Sequence, residues 1–173
     1  MNTSRLGLAL MHLLAKLPLP VLRGIGWGVG RLLFILAAPR RKIALRNLEL
    51  CFPEVPAAQR RAWAKETFVV FCQTFIDRSW LWFGSEALVR SRVQLTGALH
   101  ELEGDTATIV FAPHFYSMDA GGLALPLNTP REFTSIFATN PDPVLDAWFM
   151  AGRQRFGKVR MLNRADGVKP IIQ

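Results

Sequence analysis

The sequence predicts an α/β fold: N-terminal membrane-associated helices followed by a mixed, partly parallel sheet flanked by helices. Three observations carry that expectation. Residues 106–112 (TATIVFA), 135–138 and 159–162 are short, β-prone and largely apolar. Stretches of helical character separate each from the next, which is the order of a strand–helix–strand sheet. By contrast, Leu6–Pro39 is one long apolar segment without a single acidic residue. The final stretch, DGVKPIIQ, reads as the first turn of another helix, so the sheet is expected to be incomplete at the C-terminus.

The elements follow in order. A bilayer span needs roughly 20 apolar residues, and the N-terminal segment is long enough. Lys16, Arg23 and Arg31 interrupt it, however, and Pro18 and Pro20 split it. That pattern fits a helix, a proline break and a second helix that lie in or dip into one leaflet. It also fits two core helices of a larger protein. Arg40, Arg41, Lys42 and Arg46 come next, where anionic headgroups would sit beside such an anchor. Residues 1–39 therefore read as an anchoring helical segment, and 40–173 as the N-terminal part of an α/β domain. Pro53 and Pro56 end a helix. Ala57–Phe83 has apolar residues at helical spacing, among them Trp63, Val70, Phe71, Phe75, Leu81 and Trp82. Residues 84–99 form a helix or turn, with 93–95 a candidate strand. Gly104 and Asp105 make a turn, and Pro143–Phe156 reads as a helix.

Composition sets the outer bounds. A chain of 173 residues suits one domain with an N-terminal appendage. The net charge of +8 suits an anionic partner. Charge alone supports nucleic acid, and no groove-reading motif or aromatic–basic interleaving accompanies it, so no nucleic acid is expected. Cys51 and Cys72 are too few and too far apart for a disulfide framework or a zinc site.

The chemistry concentrates in FAPHFYSMDAGG, residues 111–122. On one regular helix, positions five apart are separated by about 140°, so His114 and Asp119 meet only if His114 stands on the preceding turn and Asp119 in the first helical turn. Pro113 favours that arrangement by ending the strand. Ligands of open α/β sheets bind at the carboxyl ends of strands. Gly121 and Gly122 would allow a substrate close to the backbone. A neutral imidazole can take a proton from a hydroxyl, and a carboxylate can orient it. No GxSxG nucleophile is present, so the hydroxyl would come from the substrate. The same spacing also suits a histidine hydrogen-bonded to a helix-start aspartate for structural reasons. A metal is not expected, because a third ligand at usual spacing is missing.

RRKIALRNLELCFPE (residues 40–54) together with APHFYSMDAGG resembles the lysophospholipid acyltransferase superfamily, and within it the bacterial lipid A late acyltransferases of lauroyl/myristoyl type. The apolar opening with LPLP and the GWGVGRLLF stretch are similar too. The family's His-x4-Asp/Glu motif falls on His114 and Asp119, with Asp where many members carry Glu. NPDPVLDAWFMAGRQRFGKVRML resembles the stretch that ends in the family's site arginine; Arg153 matches best and Arg155 is its rival. The resemblance implies a glycerolipid acyltransferase-like fold and an enzyme at the cytoplasmic face of a Gram-negative inner membrane. It implies acyl carrier protein, or a similar thioester carrier, as donor, a hydroxyl of a lipid A precursor as acceptor, and no cofactor. His114 would be the general base, Asp119 its partner, and Arg153 a phosphate or charge holder, with Arg155, Gly121 and Tyr116 toward the substrate. A Pro-Asp block that helps build the family's site would lie beyond Gln173. The alternatives are a non-catalytic basic membrane-binding module and an inactive fragment of such an enzyme.

Overall fold

The computed structural model describes residues 3–167 and 170. It is mostly helical, with one small parallel sheet, and therefore of α/β class. The helices are α1 (Thr3–Leu14), α2 (Leu19–Leu36), α3 (Ala38–Cys51), α4 (Ala57–Phe83), α5 (Glu86–Arg92), α6 (Met118–Asn128) and α7 (Pro143–Arg153); the strands are β1 (Glu132–Phe137) and β2 (Lys158–Asn163). The chain divides into two compact units: residues 17–77, and residues 1–16 with 78–173. The expected boundary at residue 39 falls inside the first of these. The expected helix in DGVKPIIQ falls largely outside the described residues.

In the 17–77 unit, Pro18 caps α2 and Pro20 sits in its first turn, where a missing N–H costs nothing. Leu22, Gly26, Gly30 and Phe34 recur every four residues and form the buried face of α2. The two glycines bring the α2 backbone against α4: a Cβ on Gly26 would lie 2.9 Å from Cα of Gln73, and one on Gly30 2.5 Å from Cα of Val69. Only a helix without side chains there can pack so closely. Arg23 donates from Nη2 to both carboxylate oxygens of Asp77, at 2.9 and 2.8 Å. The Asp77 side chain is 4% exposed and that of Arg23 37%. The face of α2 opposite the glycines leaves Val21, Leu32, Ile35 and Leu36 exposed. α2 is long and apolar enough to cross a membrane by length and composition.

The unit of residues 1–16 and 78–173 holds the sheet. β1 and β2 pair in parallel, Glu132 opposite Lys158 through Phe137 opposite Asn163, with α7 as the crossover. Asp142 starts α7 by accepting from the amides of Val144 and Leu145 at 2.8 and 3.3 Å. Ser4 of α1 also hydrogen-bonds its carboxylate. Gly152 lies so close to Trp82 that a Cβ would be 2.3 Å from the indole. Trp82, Trp148 and Phe149 pack edge-on or tilted, with centroids 4.4–5.4 Å apart.

Two expected strands are absent. Residues 93–95 follow α5 outside any strand, with Val93, itself extended, as the helix's C-cap. Residues 106–112 form no regular element and join no ladder among the described residues, and Ile109 and Phe111 are 97% and 87% exposed. An apolar run reads as a buried strand only if a sheet continues beside it, and here the described sheet has two strands. Arg131, just before β1, instead holds the run by its start, donating to the Thr106 carbonyl at 2.5 Å and the Thr108 hydroxyl at 3.3 Å. The described sheet is parallel only; no antiparallel pair makes it mixed.

Candidate active site

The segment between residue 106 and α6 turns sharply at His114. The Phe115 amide donates to the Pro113 carbonyl at 2.7 Å, closing a three-residue turn centred on the histidine. Three residues later Ser117 adopts φ 68° and ψ 23°, the one non-glycine residue at positive φ among those described. Left-handed backbone costs a serine about 1 kcal/mol, and such strain gathers where a loop must hold a set shape. Ser117 is the N-cap of α6, with no side-chain cap, and Asp119 stands in the helix's first turn, where a carboxylate complements the helix dipole.

Asp119 is 15% exposed and lies between two arginines. Nε and Nη2 of Arg78, near the end of α4, are each 2.7 Å from Oδ2. Nε of Arg153, at the end of α7, is 3.6 Å from Oδ1. The Phe149 ring backs both guanidinium groups, at 5.7 Å from Arg78 and 5.4 Å from Arg153. Thus Asp119 and Arg153 are brought together. His114 is exposed in its turn, and no hydrogen bond joins it to Asp119 among those described. Tyr116 is about half exposed, and partial burial pushes its phenol above the ordinary range. Gly121 is half-buried on α6, with open space where a Cβ would stand.

Arg155 is committed elsewhere. It donates to the carbonyls of Leu81, at 2.9 Å, and Gly84, at the end of α4, and burial lowers its pKa. Arg41, read from sequence as part of the headgroup-facing cluster, similarly donates to the carbonyls of Phe34 and Ile35 at the end of α2. The residue that the sequence reading missed is Arg78. Its signal was a charged pair, Asp77–Arg78, inside the otherwise apolar run FIDRSWLWF (residues 75–83). A cavity of about 760 Å³, lined by Leu95, Leu99, Leu102, Leu125 and Arg131 among others, opens at the far end of α6 from Asp119. Among the described residues no cluster of three His, Cys, Asp or Glu could hold a metal ion.

Comparison with known proteins agrees with the motifs. A family model described as bacterial lipid A biosynthesis acyltransferase matches residues 2–173. The chain is 33% identical to a lipid A biosynthesis acyltransferase of Haemophilus influenzae over 93% of its own length and 52% of the relative's. It is 28% identical to the lipid A biosynthesis lauroyltransferase of Escherichia coli K12, covering 93% and 53%. With the myristoyltransferase of the same strain it shares 31% over 89% and 47%. No solved structure matches. The chain spans about half the length of the curated relatives it matches. With its His-x4-Asp segment at the head of α6 and a family match over nearly its whole length, the chain belongs to the bacterial lipid A biosynthesis acyltransferase family.

Proposed function

We propose that the protein is an O-acyltransferase that moves a fatty acyl chain from a thioester on acyl carrier protein to a hydroxyl of a lipid A precursor, at the cytoplasmic face of the inner membrane. The observation that carries this is Asp119 in the first turn of α6, five positions after an exposed His114, in a chain of that family. His114 takes the proton of the acceptor hydroxyl as its oxygen attacks the thioester carbonyl. The C–S bond breaks, and the thiolate leaves with the proton that the imidazolium returns. Asp119 orients the imidazole and stabilises its charged form, which requires the His114 turn to close on α6 when substrate binds. Arg153 offers a cation to a phosphate or to the developing oxyanion. In this reading Tyr116 and Gly121 face the substrate, whereas Arg155, whose guanidinium is spent on the Leu81 and Gly84 carbonyls, supports the site only by fixing the end of α4.

The membrane enters through α2. One face packs glycines and Arg23 against α4, which carries Arg60, Arg61, Lys65 and Glu66 and is itself too polar for lipid. The opposite face offers Val21, Leu32, Ile35 and Leu36, and Arg40 and Lys42 follow, exposed. Such a helix lies along a leaflet with its apolar side down rather than crossing it, and the basic residues meet anionic headgroups.

The test is His114→Ala in the full-length protein. Mass spectrometry of lipid A from cells that depend on this gene is expected to show loss of one acyl chain, with the variant still in the membrane fraction. An unchanged acylation pattern overturns the reading. The exposed apolar and basic surface of residues 17–77 also favours a second reading, a membrane-binding module without catalysis. In that case deletion of residues 1–39 abolishes function and His114→Ala does not.

A further inference from the structure

We infer that Arg78 is a positioning residue of this site, acting through Asp119; the inference rests on the acyl-transfer reading above. A carboxylate that orients an imidazole needs one oxygen free to accept and must be stopped from turning that oxygen away. Both conditions are met from one side. Arg78 spends Nε and Nη2 on the same oxygen, Oδ2, at 2.7 Å each. Among the described residues Oδ1 has only Arg153, at 3.6 Å, which is beyond hydrogen-bond length. Oδ1 is therefore the oxygen left for His114, and rotation of the carboxylate would break both contacts to Arg78.

Arg78 is itself held. Its side chain is 23% exposed, and its guanidinium lies 5.7 Å from the ring centroids of both Trp82 and Phe149. Trp82 in turn packs against Gly152, next to Arg153. A fork donor fixed by aromatic walls imposes one carboxylate orientation, which a lysine, a flexible point charge, does not. The short side chain of Asp119 makes such a hold useful: it reaches less far than a glutamate would, so its rotamer decides whether it meets the imidazole.

The experiment is a double-mutant cycle in the full-length protein, in its native membrane, with acyl carrier protein thioester as donor and a phosphorylated glycolipid as acceptor. Arg78→Met is expected to lower kcat about 100-fold, the cost of an ångström-scale misplacement, while KM changes less than about threefold. Arg78→Lys is expected to recover about 10-fold of that, since it restores charge but not the fork. In an Asp119→Asn background, Arg78→Met is expected to add less than about twofold, because the two side chains act as one unit. Additive losses, or a lower unfolding temperature with kcat unchanged, overturn the proposal. Should Arg78→Met not fold, the comparison of Arg78→Lys with and without Asp119→Asn decides alone. If His114→Ala keeps full activity, the acyl-transfer reading fails; if His114→Ala is inactive and both Arg78 variants are fully active, only this inference fails.

Discussion

Alanine at Gly28 and alanine at Gly30, two residues apart in α2, are expected to shift stability in opposite directions. In an open helix interior the change from glycine to alanine gains about 1 kcal/mol through lost unfolded-state freedom. At Gly28 nothing lies within 4 Å of the new methyl, so that gain is expected in full. At Gly30 the methyl would stand 2.5 Å from Cα of Val69 and 2.8 Å from both the Phe68 carbonyl oxygen and the Val69 nitrogen. Carbon–carbon contacts settle at roughly 3.5–4.0 Å. The obstacle is backbone, not a side chain that can swing away, so α2 must retreat by about 1 Å. Overpacking of that kind costs about 1–3 kcal/mol, and the retreat also stretches the Arg23–Asp77 hydrogen bonds of 2.8–2.9 Å. Thermal unfolding of the detergent-solubilised protein reads both signs, at about 2–4 °C per kcal/mol for a chain of this size. Gly28→Ala is expected to raise the midpoint by a few degrees and Gly30→Ala to lower it by at least as much. If both substitutions raise it, the close α2–α4 seam is refuted.

Arg23 and Asp77 lie in that same seam, whereas Cys72 and the Ser4–Asp142 pair test other contacts. Arg23→Met removes two hydrogen bonds from a carboxylate that is 4% exposed and is expected to cost about 1.5–3 kcal/mol. Asp77→Asn should cost less, since Arg23 is 37% exposed and can turn toward water; equal losses in a denaturant titration would contradict this. Burial raises the Cys72 thiol pKa, whereas Cys51 is exposed, so a thiol reagent at neutral pH is expected to label Cys51 quickly and Cys72 only after unfolding. The Ser4 hydroxyl, and then the α7 amides, hold the Asp142 carboxyl below its ordinary value. Its folded value is the lower one, so its stabilisation is complete above the ordinary carboxylate range and fades as pH falls from about 4. Ser4→Ala should make the acid side of the unfolding-midpoint curve shallower; an identical curve would remove Ser4 as the cause.

Local signals were legible in the sequence, and distant pairings were not. The bounds of α4 match the expected Ala57–Phe83, because prolines before it and Gly84 after it punctuate the chain whatever the tertiary context. The break between α1 and α2 is equally local, at Pro18. β1 and β2 contain most of the residues expected, shifted by a few positions. The run at 106–112 misled because its residues prefer a sheet, yet a ladder needs a neighbour that composition cannot supply. Arg23 looked like an interruption of an apolar segment; its partner lies 54 positions away. Arg78 was hidden for the same reason, with Asp119 41 positions on. The residues of the His-x4-Asp segment could be read directly; the arginine clamp on its carboxylate depends on how α4, α6 and α7 converge.

The way this chain finishes its helices bears on its interpretation as a polycation. Arg41 closes α2, Arg60 closes α3 through the carbonyls of Phe52 and Pro53, Arg155 closes α4, and Arg90 closes α6 through the Leu127 carbonyl. Each guanidinium answers the partial negative end of a helix and spends donors on its terminal carbonyls. The formal charge stays at +8, but the helix ends offset part of the field of these four groups. Retention on a heparin column or a cation exchanger should be weaker than for an unstructured peptide of the same composition, and unfolding should strengthen it.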